Sequence, residues 1–332
     1  MAFASGFVLS EAKDLLALSA AIEDVISPII PNPPPGWTLV LDPPEVGPFQ
    51  NKWQFWKRND GAFAIVVRGT IPQAGSILED VIALMIEAKG DIDFGPFKID
   101  YGFATDPEAG IHLGFTLGAL LLLLDPLNGI LAQLPRQQVG AGSFVYITGH
   151  SQGAAVATLI RSYLEYGPNR PADLAYKTYV FAQPKPGNDH YAEDYENAFC
   201  KSGMAFTINN TLDWVPEVPL TLQLLSDIDK PNPLSTLTLS AIDKVLSRAV
   251  GIAKSAEPLA LAKFDGMFAA LALATGHKAV GTHSPILPLK PSLYYVAAGT
   301  VWPLIGAPCE GVECHDGFFE HHATTYYKLL SK

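Results

Sequence analysis

Only three cysteines occur in 332 residues, too few for a disulfide framework, so the fold must rest on a hydrophobic core. Positive charge is scarce as well. The 22 Lys and Arg face 33 Asp and Glu, a net −11, which excludes the basic stripe that a nucleic-acid binder lays along phosphates. Charged residues of both signs make up 17% of the chain against 48% apolar, and such a composition excludes disorder over most of its length. Residues 1–6 lack the Lys or Arg of a signal-peptide n-region, and Glu11, Lys13 and Asp14 interrupt the apolar residues beyond them, so no cleaved leader is expected. The most lipid-like stretch, 115–134, is broken by Asp125, Pro126, Asn128 and Gly129, whereas a spanning helix needs about 20 apolar residues. With no span, the apolar excess goes either into a large core or into an interfacial patch.

What is present is punctuated by 27 prolines and carries no internal repeat. Apolar residues Leu15, Leu16, Leu18, Ala21, Ile22 and Val25 recur at helical spacing, which predicts a helix over 9–26 that the Pro31–Pro35 cluster terminates. Strands are expected at 53–57 and 62–68, joined as an antiparallel hairpin through Asp60-Gly61. Ser76 and Glu79 form a capping box ahead of Ile77, Leu78, Val81, Ile82, Met85 and Ile86, predicting an amphipathic helix over 76–88. Further strands are expected at 144–147, 176–182, 205–209 and 293–301, with a helix over 154–166 that Gly167 and Pro168 stop. Alternating strands and helices of this kind define an α/β fold with a mostly parallel central sheet flanked by helices. The tract 220–291 has little strand character and is too long for a loop. Helices over 237–250 and 259–274 make it a helical insertion, either packed on the core or forming a cap. The whole chain, 1–332, reads as a single domain.

Between the strand ending near Ile147 and the helix from Ala154 lies Gly149-His150-Ser151-Gln152-Gly153. A sharp strand-to-helix turn there would present Ser151 at the sheet edge, with glycines on both sides avoiding backbone clashes. The blander alternative is that Ser151 merely caps the helix. A serine hydroxyl needs a base, and in chain order the acid and then the histidine follow the nucleophile in this architecture. A base beyond the last strand leaves His315, His321 and His322. Asp213 follows a strand and precedes the turn Pro216-Glu217-Val218-Pro219, making it the favoured acid over Asp189, Asp194, Asp227 and Asp229.

These residues resemble the class 3, or fungal-type, lipases of the α/β-hydrolase fold. Ile65-Val66-Val67-Arg68-Gly69-Thr70 is similar to a family strand ending in F-R-G-S/T. His112-Leu113-Gly114-Phe115 matches H-x-G-F, Phe181-Ala182-Gln183-Pro184-Lys185-Pro186-Gly187-Asn188 is similar to F-G-x-P-x-x-G-N, and Asp213 to Pro219 matches D-x-V-P-x-x-P. Together with the serine pentapeptide they cover roughly residues 50 to 220 in order. The resemblance implies that Thr70 and Gln152 supply the oxyanion-hole amides, and it places a lid just after Thr70, within 71–95. It also implies a base a few residues ahead of a C-terminal tyrosine. His321 with Tyr326 is the favoured register, and His322 with Tyr327 stays open. Gln152 stands where the family usually has Leu, and Ala154 where it has Gly.

The expected activity is that of a serine carboxylester hydrolase, foremost a triacylglycerol lipase working on lipid esters at an oil–water interface through an acyl-enzyme on Ser151. Phospholipase A1 and feruloyl-type esterase are the alternatives within that chemistry, and an inactive lipase-like binding module is the alternative outside it. No cofactor or metal is expected. Cys309, Cys314 and His315, with His321 and His322, could be drawn as a zinc site, but a local Cys309–Cys314 disulfide is the expectation if the protein is exported, and reduced thiols if it is not. The missing leader reads as cytoplasmic by default, and the substrate class as export by a route without a classical signal or as a chain given without its leader. Oligomeric state is not legible.

Overall fold

The computed structural model describes residues 3–69, 84–223, 227, 261–262, 264–277, 285–309, 311 and 316–332. Helix α1 (Leu9–Ile22) is followed by strands β1 (Trp37–Leu41), β2 (Trp53–Arg58) and β3 (Phe63–Val67). Next come short strands β4 (Met85–Glu87), β5 (Lys89–Asp93), β6 (Lys98–Gly102) and β7 (Gly110–His112), then helices α2 (Leu113–Leu124) and α3 (Ile130–Arg136). The central run is β8 (Phe144–His150), α4 (Gln152–Tyr166), β9 (Ala175–Phe181), α5 (Asp189–Tyr195) and β10 (Ala205–Asn210). Helix α6 (Asp265–Ala274), strands β11 (Leu289–Lys290) and β12 (Thr300–Leu304), and helix α7 (Ala323–Leu330) complete the described strands and α-helices, beside short helical turns at Glu196–Cys200, Val215–Glu217 and Phe319–His321.

Seven strands form the main sheet in the order β1-β2-β3-β8-β9-β10-β12. The pairs from β3 to β12 are parallel, while β1–β2 and β2–β3 are antiparallel. Alternation along β3 sends Phe63, Ile65 and Val67 to one apolar cluster and Ala64 and Val66 to the other. The first cluster holds α2 and α4, and the second holds α1 and α7. The sheet is therefore covered on both faces and its parallel strands read as continuous apolar runs. This is the mostly parallel α/β-hydrolase architecture expected from the sequence.

Polar residues also tie the second layer to the sheet. Lys177 is fully buried and places Nζ 2.7 Å from Glu11 of α1, whose carboxylate also accepts the hydroxyls of Tyr146 at 2.7 Å and Tyr179 at 2.8 Å. A buried ammonium is tolerable only when its charge and its protons are met in this way.

Several expected boundaries move. Helix α1 stops at Ile22, not residue 26, because Asp24 turns left-handed at φ 55° and the amides of Asp24 and Val25 close back on Ala21 and Ala20. The last strand runs over Thr300–Leu304 instead of 293–301. Leu293 and Val296 make only isolated bridges to Leu222 and Gly187, and the ladder to β10 begins after Gly299 at φ 107°. Of the helix expected over 76–88, residues 76–83 lie outside the described residues, and Met85–Glu87 is a strand paired with β7 and β11. The candidate lid, 71–95, thus contains strand in its described part. The tract 220–291 also carries strand, in β11, beside helix α6, while the helix expected over 237–250 lies outside the described residues. Met267, Phe268 and Leu271 of α6 are buried in the first cluster with α2, so this part of the tract packs into the core. The stretch 115–134 is core as well: every residue from Leu113 to Leu123 is buried, and no described helix is long and apolar enough to cross a membrane.

Candidate active site

Strand β8 runs straight into α4 through Ser151, which takes φ 58° and ψ −133°, a conformation that costs of order 1–3 kcal/mol. The corner is possible because both flanking glycines lack Cβ. One on Gly149 would lie 2.3 Å from the carbonyl oxygen of Gly153, and one on Gly153 would lie 2.4 Å from that of Val67. The Ser151 amide donates to the Phe181 carbonyl at 3.0 Å, locking the corner to β9. Its side chain makes no capping bond to α4, so the capping alternative does not hold. The hydroxyl faces outward to an imidazole instead.

That imidazole belongs to His321, whose Nε2 lies 2.8 Å from Ser151 Oγ and whose Nδ1 lies 2.8 Å from Asp213 Oδ2. Asp213 follows β10 and is 4% exposed. Its Oδ1 accepts the Val215 amide at 3.0 Å, and its Oδ2 also accepts the Tyr326 hydroxyl at 2.7 Å. Tyr326 Oη in turn accepts the amide of Asn210 at 3.0 Å, and Asn210 Nδ2 donates to the carbonyl of Glu320 at 2.9 Å. The end of β10 and the turn carrying the histidine are thereby tied to each other. Burial pushes the Asp213 carboxyl up, but the donors from His321, Val215 and Tyr326 outweigh it and hold the group below its ordinary range. For His321 burial wins over the carboxylate partner, so the imidazole sits below its ordinary value and is neutral at neutral pH.

The neighbouring His322 is turned away: its side chain is 47% exposed and its Nε2 lies 3.2 Å from Asp316 Oδ2. His315 lies outside the described residues. Gln152 opens α4 beside Ser151, where the helix N-terminus favours negative charge. Thr70 also lies outside the described residues. Among the rival acids, Asp194 is engaged with the Thr105 and Asp106 amides, Asp189 begins α5, Asp227 neighbours Ser292, and Asp229 lies outside the described residues. Cys309 is disulfide-bonded, to a partner outside the described residues, and Cys200 is a free thiol.

Two polar residues at the site meet in a way the sequence does not signal. His150 Nε2 lies 2.8 Å from the backbone carbonyl oxygen of His321, and its Nδ1 faces Glu23 at the end of α1. Glu23 and His150 are 127 positions apart, so no local pattern could have paired them.

A serine at a strained strand-to-helix corner of a parallel sheet, with a neutral imidazole and a buried carboxylate in line behind it, defines the class: a serine hydrolase of the α/β-hydrolase type. Residues 64–223 match the family model described as Lipase (class 3). That span holds Ser151 and Asp213 and is similar to the class 3 lipases, and the protein is a serine carboxylester hydrolase. Among solved structures, the M37 lipase is 19% identical with a TM-score of 0.52, the match covering 89% of this chain and 78% of that one. The triacylglyceride lipase of Rhizomucor miehei is 18% identical with a TM-score of 0.42, covering 64% and 74%. A mutant form of MDLA from Penicillium cyclopium is 18% identical with a TM-score of 0.43, over the same shares. None of the curated proteins compared with the chain matches it.

Proposed function

We propose that this protein is a triacylglycerol lipase that cleaves long-chain esters through an acyl-enzyme on Ser151. In this reading His321 takes the Ser151 proton as the hydroxyl oxygen attacks the ester carbonyl, and Asp213 fixes the imidazole tautomer and stabilises the imidazolium. The imidazolium then protonates the departing alkoxide, and the same His321 draws a proton from water to release the acid. The backbone amide of Gln152, together with that of Thr70, is assigned to the oxyanion, where each donor is worth about 2.7–4 kcal/mol of transition-state stabilisation. The unbroken sequence of contacts from Ser151 Oγ through His321 to Asp213 carries the proposal.

Apolar substrate is favoured by the rim of the site. Leu212 and Trp214 flank Asp213, Phe318 packs 5.3 Å from the Trp214 ring, and all three are solvent-exposed. A free-standing polar-ester pocket has no use for such a rim. Hydrolysis of p-nitrophenyl esters of rising chain length, and of emulsified trioleoylglycerol, tests the assignment with Ser151→Ala. Turnover should fall at least about 10³-fold, leaving only what the oxyanion hole and binding supply, and a fluorophosphonate probe should no longer label the protein. Undiminished hydrolysis by Ser151→Ala would refute it, and a wild-type preference for short polar esters would refute the substrate class.

A further inference from the structure

Glu23 occupies the C-cap of α1, directly before the left-handed Asp24. Its carboxylate reaches the carboxyl end of the sheet, where Oε1 accepts the amide of Gly69 at 3.3 Å. A Cβ on Gly69 would lie 2.6 Å from that oxygen and 2.8 Å from the His150 carbonyl oxygen, so the close approach requires glycine here. His150, the last residue of β8, is buried with both ring nitrogens opposite acceptors: Nδ1 is 3.3 Å from Glu23 Oε2, and Nε2 is 2.8 Å from the His321 carbonyl oxygen. A neutral imidazole has one N–H and can serve only one of them. The doubly protonated ring serves both.

We infer that Glu23 and the His150 imidazolium form a charged positioning pair that grips the backbone of His321 and so holds its imidazole between Ser151 and Asp213. The inference rests on His321 being the base, as proposed above. It also gives Glu23 a second task, since the same carboxylate anchors the chain at Gly69, immediately before Thr70. The titratable groups facing His150 are Glu23 from the end of α1, Asp213 from the loop after β10, and His321 and Tyr326 from the C-terminal segment, whose rings lie 4.7 and 5.8 Å away. Burial would depress the His150 imidazole, but the Glu23 carboxylate, the His321 carbonyl and Asp213 hold it above its ordinary value. Its positive charge adds to burial in holding His321 below its own. The pair therefore sets both the place of the base and the pH at which the base is free to act.

Steady-state pH profiles of kcat and KM on a soluble p-nitrophenyl ester test this, using His150→Gln, His150→Leu and Glu23→Gln. The His150→Gln side chain keeps an N–H for the His321 carbonyl but no charge, so the acid limb of kcat/KM should move to higher pH. His150→Leu removes both, and kcat should fall about tenfold or more with KM nearly unchanged, the scale of one charge-assisted hydrogen bond. In the wild type, kcat should decline on the alkaline side as His150 loses its second proton and releases one acceptor. The amide introduced by Glu23→Gln can donate to a neutral His150, so in that variant the alkaline decline should disappear. An acid limb of His150→Gln superimposed on the wild type, or an alkaline limb retained by Glu23→Gln, overturns the inference. Should the His150 variants fail to fold, Glu23→Gln decides alone. Loss of activity in Ser151→Ala with unshifted limbs in these variants would sink the pair while leaving the hydrolase mechanism standing, whereas an active Ser151→Ala sinks both.

Discussion

Replacing Asp213 by Asn removes one charge and no volume, and the surroundings decide what that costs. The carboxylate receives three donors: the Val215 amide at 3.0 Å on Oδ1, and His321 Nδ1 at 2.8 Å with the Tyr326 hydroxyl at 2.7 Å on Oδ2. An amide offers a single acceptor oxygen. If that oxygen faces His321 and Tyr326, the NH₂ group confronts the Val215 N–H, a donor against a donor in a site 4% exposed. In the flipped orientation the NH₂ group donates to His321 Nδ1, which forces the proton onto Nε2, where it can no longer accept one from Ser151. The first arrangement costs about 1–3 kcal/mol of stability, and the second removes the base. The flipped form dominates, since it strains only a side chain. We therefore expect kcat/KM on a p-nitrophenyl ester to fall about 10³- to 10⁴-fold, with KM little changed because no substrate contact is lost. Stability should also lose part of its acid dependence. The folded-state carboxyl lies below its ordinary 3.8, so its contribution is present above the unfolded value and lost as pH falls through the folded one. Asn has no such contribution. Activity of Asp213→Asn within tenfold of wild type would refute the reasoning.

Because His322 pairs with Asp316 at the surface, His322→Ala should keep kcat/KM within about twofold and stability within about 0.5 kcal/mol, as for a surface site, and a loss comparable to that of His321→Ala would reverse the assignment. Lys177→Met leaves Glu11 with two tyrosine donors but no countercharge, and urea unfolding should show a loss of about 3 kcal/mol at unchanged m-value. A shift below about 1 kcal/mol would mean that the buried pair does not secure α1 to the sheet. As the proposed base, His321 must be neutral to act and its imidazole lies below the ordinary 6.5, so kcat/KM should fall on acidification with a midpoint below that value. A midpoint above it would contradict the burial of His321.

Much of the fold was written locally. The pentapeptide around Ser151, between an apolar run and an Ala-rich helix, placed the strained corner, because the glycines there answer to backbone clashes within a few residues. Strands β3, β8, β9 and β10 were legible for a similar reason, since parallel strands buried on both faces are continuous apolar runs, and antiparallel β2 was legible through the Asp60-Gly61 turn that joins it to β3. Strands β4 to β7 were not, since Gly90, Asp91 and Asp93 carry no strand signal and are held by pairing with β6 and residue 286. The last strand was displaced because the apolar run 293–298 is buried in part without joining the ladder, and only tertiary contact distinguishes the two fates.

The histidines mark the division most sharply. By itself the sequence determined that a serine stands at a strand-to-helix corner, that Asp213 comes just after a later strand, and that two adjacent imidazoles lie near the C-terminus. Which imidazole faces Ser151 was decided by the turn over Phe319–His321, where successive side chains point about 120° apart. A shift of one residue there exchanges the inside of the protein for solvent, and the two registers have identical local chemistry. The Glu23–His150 contact is likewise tertiary, created by folding α1 over the sheet. Short-range sterics fix corners and runs, whereas the facing of a side chain and the meeting of distant charges are set by packing.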